Sequence, residues 1–158
     1  MTFAYEVSDG QGGADSVTIT VDVVSSEQKI VVDDRMSSDQ LGSSVAMDQG
    51  ILVTGAPYAD HYVEGQYQSS DNGAAYLFTL QENGQWSQTT RLTSNLTSDS
   101  DRFGIDVDVD GNTILIGAPL TDNSGTTDGG AAYVFTRQGD GTWTETTRLV
   151  ASDTSVYD

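Results

Sequence analysis

The sequence predicts an all-β fold of two four-stranded sheets in tandem, preceded by a β-hairpin. Three observations lead there. Seventeen glycines and only two prolines stand among many Ser, Thr, Asp and Asn, the profile of short strands joined by tight turns. Apolar residues nowhere recur at helical spacing over more than a turn or two, so no helix is expected. And a long motif occurs twice, in order. Leu41-Gly42-Ser43-Ser44-Val45 through Gly55-Ala56-Pro57 returns 62 residues later as Phe103-Gly104-Ile105-Asp106-Val107 through Gly117-Ala118-Pro119. Gly73-Ala74-Ala75-Tyr76-Leu77-Phe78-Thr79 returns 57 residues later as Gly130-Ala131-Ala132-Tyr133-Val134-Phe135-Thr136, and so do Trp86 and Thr89-Thr90-Arg91-Leu92 as Trp143 and Thr146-Thr147-Arg148-Leu149. The first copy therefore carries five more residues than the second between its Gly-Ala-Pro and its Gly-Ala-Ala-Tyr.

Residues 1–24 read as the hairpin. Phe3, Tyr5 and Val7 alternate with polar residues, Ser8-Asp9-Gly10-Gln11-Gly12-Gly13 turns the chain, and Val17, Ile19, Val21 and Val23 alternate on the way back. A hairpin alone cannot bury its apolar face. Residues 25–40 read as a linker and lead-in, with Ile30-Val31-Val32 able to start another short strand.

Each repeat then reads as four strands, one over 41–102 and the other over 103–151. The first strand, about 42–48 or 104–110, alternates Val45 and Met47, or Val107 and Val109, with small or polar residues. Asp48-Gln49-Gly50 and Asp110-Gly111-Asn112 have the chemistry of tight hairpin turns, where Gly and Asn accept positive φ. The second strand holds Ile51-Leu52-Val53 or Ile114-Leu115-Ile116, apolar on both sides and so expected to be covered on both faces. The third, through Tyr76-Leu77-Phe78 or Tyr133-Val134-Phe135, is similar. It turns at Asn83-Gly84 or Gly139-Asp140-Gly141 into a fourth, polar strand that starts at Trp86 or Trp143, as an outer edge strand should. Small four-stranded sheets, each covered by its neighbours, describe β-propeller blades. A solenoid or β-sandwich is the alternative, although sandwich strands alternate more cleanly.

The paired Leu41-Gly42 or Phe103-Gly104 with Gly-Ala-Pro at 55–57 and 117–119 resembles the FG-GAP repeat, over roughly residues 35–150. The first copy has Leu where the repeat has Phe. That repeat builds the propeller of integrin α subunits and of many bacterial surface proteins. Residues 3–23 are similar to the last two strands of a bacterial cadherin-like or immunoglobulin-like repeat. Together these resemblances imply a structural or adhesive module of a large secreted or cell-surface bacterial protein. It would bind a protein or glycan surface partner through propeller loops, or assemble with copies of itself into a ring or filament.

Composition bounds the partners. Twenty-four acidic residues against six basic ones leave a formal charge of −18, which repels nucleic acid and anionic membrane surfaces. Without cysteine there are no disulfides or thiolate metal sites. No stretch is long and apolar enough to span a membrane, and residues 1–20 lack the basic and apolar regions of a secretory signal.

No catalytic residues are expected. His61 is the single histidine, and no acid stands in an evidently apolar context. Many FG-GAP repeats carry a calcium loop where this chain has only a hairpin turn. Asp106, Asp108, Asp110 and Gly111 resemble its first half, but Thr113-Ile114-Leu115 follow with no closing carboxylate, and calcium takes roughly six to eight oxygens. These three aspartates are weak candidate metal ligands, which leaves a calcium-binding adhesion module as an alternative reading, and no cofactor other than calcium is expected. Trp86 and Trp143, recurring in register, read as structural, and Arg91 and Arg148 as partners of an inter-blade or turn carboxylate. The preferred contact surface is the loop at 58–73, with Tyr58, His61, Tyr62 and Tyr67; the alternative is a merely tolerated insertion. Two blades cannot close a propeller, which takes about four to eight. Their outer faces should therefore stay apolar and open, and the chain is expected to self-associate. Residues 152–158 resemble the lead-in to a third repeat.

Overall fold

A computed structural model describes residues 2–8, 14–20, 27–34, 38–63, 66–123 and 126–152, with 2–8, 14–20, 61–63, 68 and 69 described as backbone alone. The reading of residues 153–158 as the start of a further repeat lies outside the described residues. β1 (Thr2–Ser8) and β2 (Ala14–Thr20) pair antiparallel as a hairpin, Phe3 opposite Ile19 and Tyr5 opposite Val17. Among the described residues there is no helix.

The two repeats form two antiparallel four-stranded sheets. In the first blade the order is β3 (Val45–Asp48), β4 (Ile51–Ala56), β7 (Ala74–Leu80), β8 (Trp86–Leu92). In the second it is β9 (Asp106–Asp110), β10 (Thr113–Ala118), β11 (Ala131–Arg137), β12 (Trp143–Leu149). The first strands begin later than the pattern suggests, because Gly42 and Gly104 sit at φ +95° and +89° and keep the chain turning. The inserted residues of the first repeat are not a plain loop. They form a small hairpin of β5 (His61–Val63) and β6 (Gln66–Ser69).

The turns obey their residues. Gln49 and Gly50 both take positive φ (45° and 78°) in the tight β3–β4 turn. At β7–β8 and β11–β12, Gly84 and Gly141 carry the positive φ, and the side chains of Asn83 and Asp140 accept the amides of Gln85 and Thr142. Each outer strand also holds a bulge, between Leu77/Phe78 and Val134/Phe135. There the hydroxyls of Thr89 and Thr146 donate to the carbonyls of Leu77 and Val134, both at 3.2 Å. This gives the first Thr of the recurrent Thr-Thr-Arg-Leu its local reason.

Alternation divides each sheet into two faces. Ile51, Val53, Ala75, Leu77 and Leu92 of the first blade pack against Val107, Ile114, Ile116, Tyr133 and Phe135 of the second in one continuous core. Phe103 lies at its centre, edge-on to Tyr133 and Phe135 at centroid distances of 5.3 and 6.1 Å. The other face of the first blade, with Tyr76 and Phe78, packs against the lead-in through Ile30 and the buried Val32. That segment forms no ladder, so the expected strand at 30–32 is replaced by a packed, irregular stretch. The other face of the second blade is open: Leu115, central in the apolar triplet Ile114-Leu115-Ile116, is 41% exposed. Coverage on both faces thus holds at β4, where the lead-in closes an outer face expected to stay open, and not at β10, where no described residue packs over Leu115 and the outer face is open as expected. The fold is two stacked blades of an unclosed propeller.

Candidate interaction surfaces and the blade junction

The junction between blades is built from glycine. A Cβ on Gly55 would lie 1.8 Å from the Gly104 carbonyl oxygen, and one on Gly73 2.0 Å from that of Phe103. Only bare Cα atoms let the Phe-Gly turn of the second blade seat this deeply. Once seated, the Phe103 amide donates to the Asn72 carbonyl at 2.8 Å, and the Arg102 amide to that of Asp71 at 3.2 Å. The Ser44 hydroxyl donates to Asp106 Oδ1 (2.9 Å) and accepts the Val107 amide (3.1 Å), while Asp48 Oδ2 accepts the Gly111 amide (2.8 Å). Phe103 and Gly104 are thus a plug, and Gly55 and Gly73 the floor of its socket.

The four preferred contact residues divide. Tyr58 is half-buried, with the Arg102 guanidinium 5.1 Å from its ring centroid, and so belongs to the body of the blade. The β5–β6 hairpin brings residues 62 and 67 opposite one another, and Tyr67 is 55% exposed. The side chains of His61 and Tyr62 lie outside the described residues.

Asp106, Asp108 and Asp110 occupy alternate, exposed positions of β9, opposite Gly117, Leu115 and Thr113. Two of the carboxylates have other duties: Asp106 holds Ser44, and Asp108 accepts the amide of Val109. Among the described residues no three His, Cys, Asp or Glu side chains gather as a metal site would require.

Arg91 and Arg148 each hold one loop carbonyl beside their side-chain partners. Arg91 Nη2 donates to the Asp60 carbonyl and Arg148 Nη2 to that of Asp122, both at 2.9 Å, each guanidinium lying over a blade tyrosine, Tyr76 or Tyr133. Each arginine clasps the loop after Gly-Ala-Pro to its own sheet. Arg91 also pairs with Asp34 of the lead-in at 3.1 Å. Burial pushes the Tyr76 phenol up to about 12, against the opposing pull of Arg91.

Asp101 escaped the sequence reading. It is buried, and its Oδ2 accepts the Ser98 amide at 2.7 Å. Desolvation raises its carboxyl above the usual carboxylate range, the amide of Ser98 works against the rise, and the nearby charge of Asp122 adds to it. Flanked by Ser98, Asp99 and Ser100, it gave no sign of an apolar setting. The repeat held the one available signal, since Asp39, also buried, stands 62 residues earlier.

Stacked four-stranded blades with plugs, sockets and loops of unequal length define a repeat-built scaffold. The profile of the FG-GAP repeat matches residues 24–78 and 86–135, and the chain belongs to the FG-GAP repeat family. FG-GAP repeats are typical of adhesion and interaction modules, are non-catalytic in general and usually occur in extracellular proteins. The matched segments run out of phase with the blades: the second begins at Trp86, the first residue of β8, and ends within β11. No curated protein matches the chain. No helix among the described residues is long and apolar enough to cross a membrane.

Proposed function

We propose that the chain is a non-catalytic structural and interaction module of a large secreted or cell-surface bacterial protein, and that it binds a protein or glycan partner through its propeller loops. The β5–β6 hairpin carries this reading. It is five residues longer than its counterpart in the second repeat, which is a single bridge between Asn123 and Thr126, it is held at its base by the Arg91 clasp on Asp60, and it presents Tyr67 to solvent. A rigid blade carrying an exposed aromatic on a short hairpin is a usual way to build a contact. The strongly acidic surface favours partners other than nucleic acid. Binding of the purified chain to immobilised extracellular glycoproteins and glycans tests this. Saturable binding that falls at least about tenfold with Tyr67→Ala is expected. Binding to none of them, or binding indifferent to Tyr67→Ala, would overturn it.

A further inference from the structure

We infer that copies of this chain associate head to tail, the Leu41-Gly42 turn of one copy seating on the open face of another copy's second blade. This goes beyond the loop-binding reading and involves no residue of the β5–β6 hairpin. The template is the junction already within the chain. By the 62-residue offset, Leu41-Gly42 stands where Phe103-Gly104 stands, and Gly117 where Gly55 stands; by the 57-residue offset, Gly130 stands where Gly73 stands. The internal plug and socket are filled by each other. The second plug and socket are formed, and no described residue fills them as the first pair fill each other.

The backbone supports the correspondence. Gly42 has φ +95° against +89° at Gly104, yet a Cβ on Gly42 would meet nothing within 4 Å, whereas one on Gly104 would meet the Ala74 carbonyl oxygen at 2.3 Å. A Cβ on Gly117 would find its nearest neighbour at 3.7 Å, whereas one on Gly55 meets Gly104 at 1.8 Å. Above Gly117 lies a groove of about 220 Å³ lined by Asp106, Asp108, Leu115 and Ala132. The facing side of the incoming copy presents Leu41 and Val45 beside a groove of about 170 Å³. Val45 is 58% exposed, while its counterpart Val107, seated in the internal junction, is 6% exposed.

Polar groups match as well. Ser44 and Asp106 are the same repeat position, so Asp106 can accept the Val45 amide of the next copy as Ser44 accepts that of Val107. Asp110 corresponds to Asp48, and Gln49 to Gly111, with matching φ of 45° and 53°. Asp110 can therefore accept the Gln49 amide of the next copy as Asp48 accepts that of Gly111. The lead-in must move, the buried Val32 together with Ile30. Ile30 packs on the first blade of the incoming copy where the offset places Leu92 on the second, and Leu149 of the receiving copy, 50% exposed, claims that place. Seating exchanges Leu149 for the lead-in. Such a contact uses two different surfaces, so it propagates into a ring or a filament.

Two surface variants of the full chain test this by sedimentation velocity, with circular dichroism to confirm the fold. Gly117→Val fills the socket at a strand position with ordinary φ and space for a side chain. Val45→Asp charges the plug at an exposed position. The wild-type chain should gain mass with concentration, and each variant should weaken association at least about tenfold. An equimolar mixture of the variants keeps one good plug and one good socket, so it should form dimers and stop there. A wild-type chain that stays monomeric through high micromolar concentration overturns the inference. So does association unaffected by Gly117→Val, the result expected if the hairpin β1–β2 joined the copies instead.

Discussion

Gly55 and Gly117 share one repeat position and differ in what lies over them. The first is pressed by the Gly104 carbonyl and the second is open. Gly55→Ala should therefore cost about 3 kcal/mol, because backbone rather than a flexible side chain must yield. Gly117→Ala should stay within about 0.5 kcal/mol of wild type. Urea denaturation of the two variants reads the contrast, and equal effects would show that the junction is looser than its geometry. Asp101 sets a second test. Its folded pKa is raised, so the folded state binds this proton more tightly than the unfolded chain does. The penalty for its charge is complete above the folded pKa and is relieved as pH falls through that value toward the ordinary carboxylate range. Relative to Asp101→Asn, which carries no such charge, wild type should gain stability between pH 7 and about pH 4.5. Parallel denaturation at the two pH values checks the direction.

The outer strands β8 and β12 look interchangeable by sequence, yet they do different work. Arg91 on β8 joins the Asp60 carbonyl, the Tyr76 ring and Asp34, whereas Arg148 on β12 joins the Asp122 carbonyl, the Asn123 side chain and the Tyr133 ring. Arg91→Met should cost about 1–2 kcal/mol, mostly from the lost bond to a loop carbonyl. Asp34→Asn should cost less than about 0.5 kcal/mol, since Asp34 is 47% exposed and its ion pair is screened by solvent. Thermal melts rank the two, and the reverse order would make the ion pair the principal contact. At this scale most of the fold was legible. The repeat marked the strands twice over, and Asn83-Gly84 and Gly139-Asp140-Gly141 announced their turns. The β5–β6 hairpin was not legible, because the second repeat keeps only its base, the Asn123–Thr126 bridge at the positions of His61 and Ser69, and the five extra residues have no second copy to align. The targets of Arg91 and Arg148 were hidden for a different reason: a carbonyl acceptor leaves no signature in side-chain identity. The open face of the second blade was expected as a class. Its vacant socket at Gly117 was not, since sequence does not separate a filled glycine position from an empty one.

For the molecule as a whole, a charge of −18 on 158 residues opposes compaction and association alike. Raising salt from 10 to 150 mM shortens the screening length from about 30 to about 8 Å, so both the melting temperature and self-association should rise. Because Asp106 and Asp108 are occupied by Ser44 and backbone amides, calcium should act as any divalent ion would. Melts in calcium and magnesium at equal ionic strength should coincide, and a calcium-specific shift removed by Asp108→Ala would reveal a site. The phase of the repeat has a further, mechanical result. The second matched segment starts at Trp86, so consecutive motifs meet between β7 and β8, inside one hydrogen-bonded sheet. Tension along the chain cannot draw one motif from the next as beads separate on a string. It must first tear the ladder from Ala75–Leu92 to Leu80–Trp86, together with its bulge. Each motif is thus stitched to its neighbour by main-chain bonds, and a surface protein assembled this way would bear load at its seams as firmly as within its sheets.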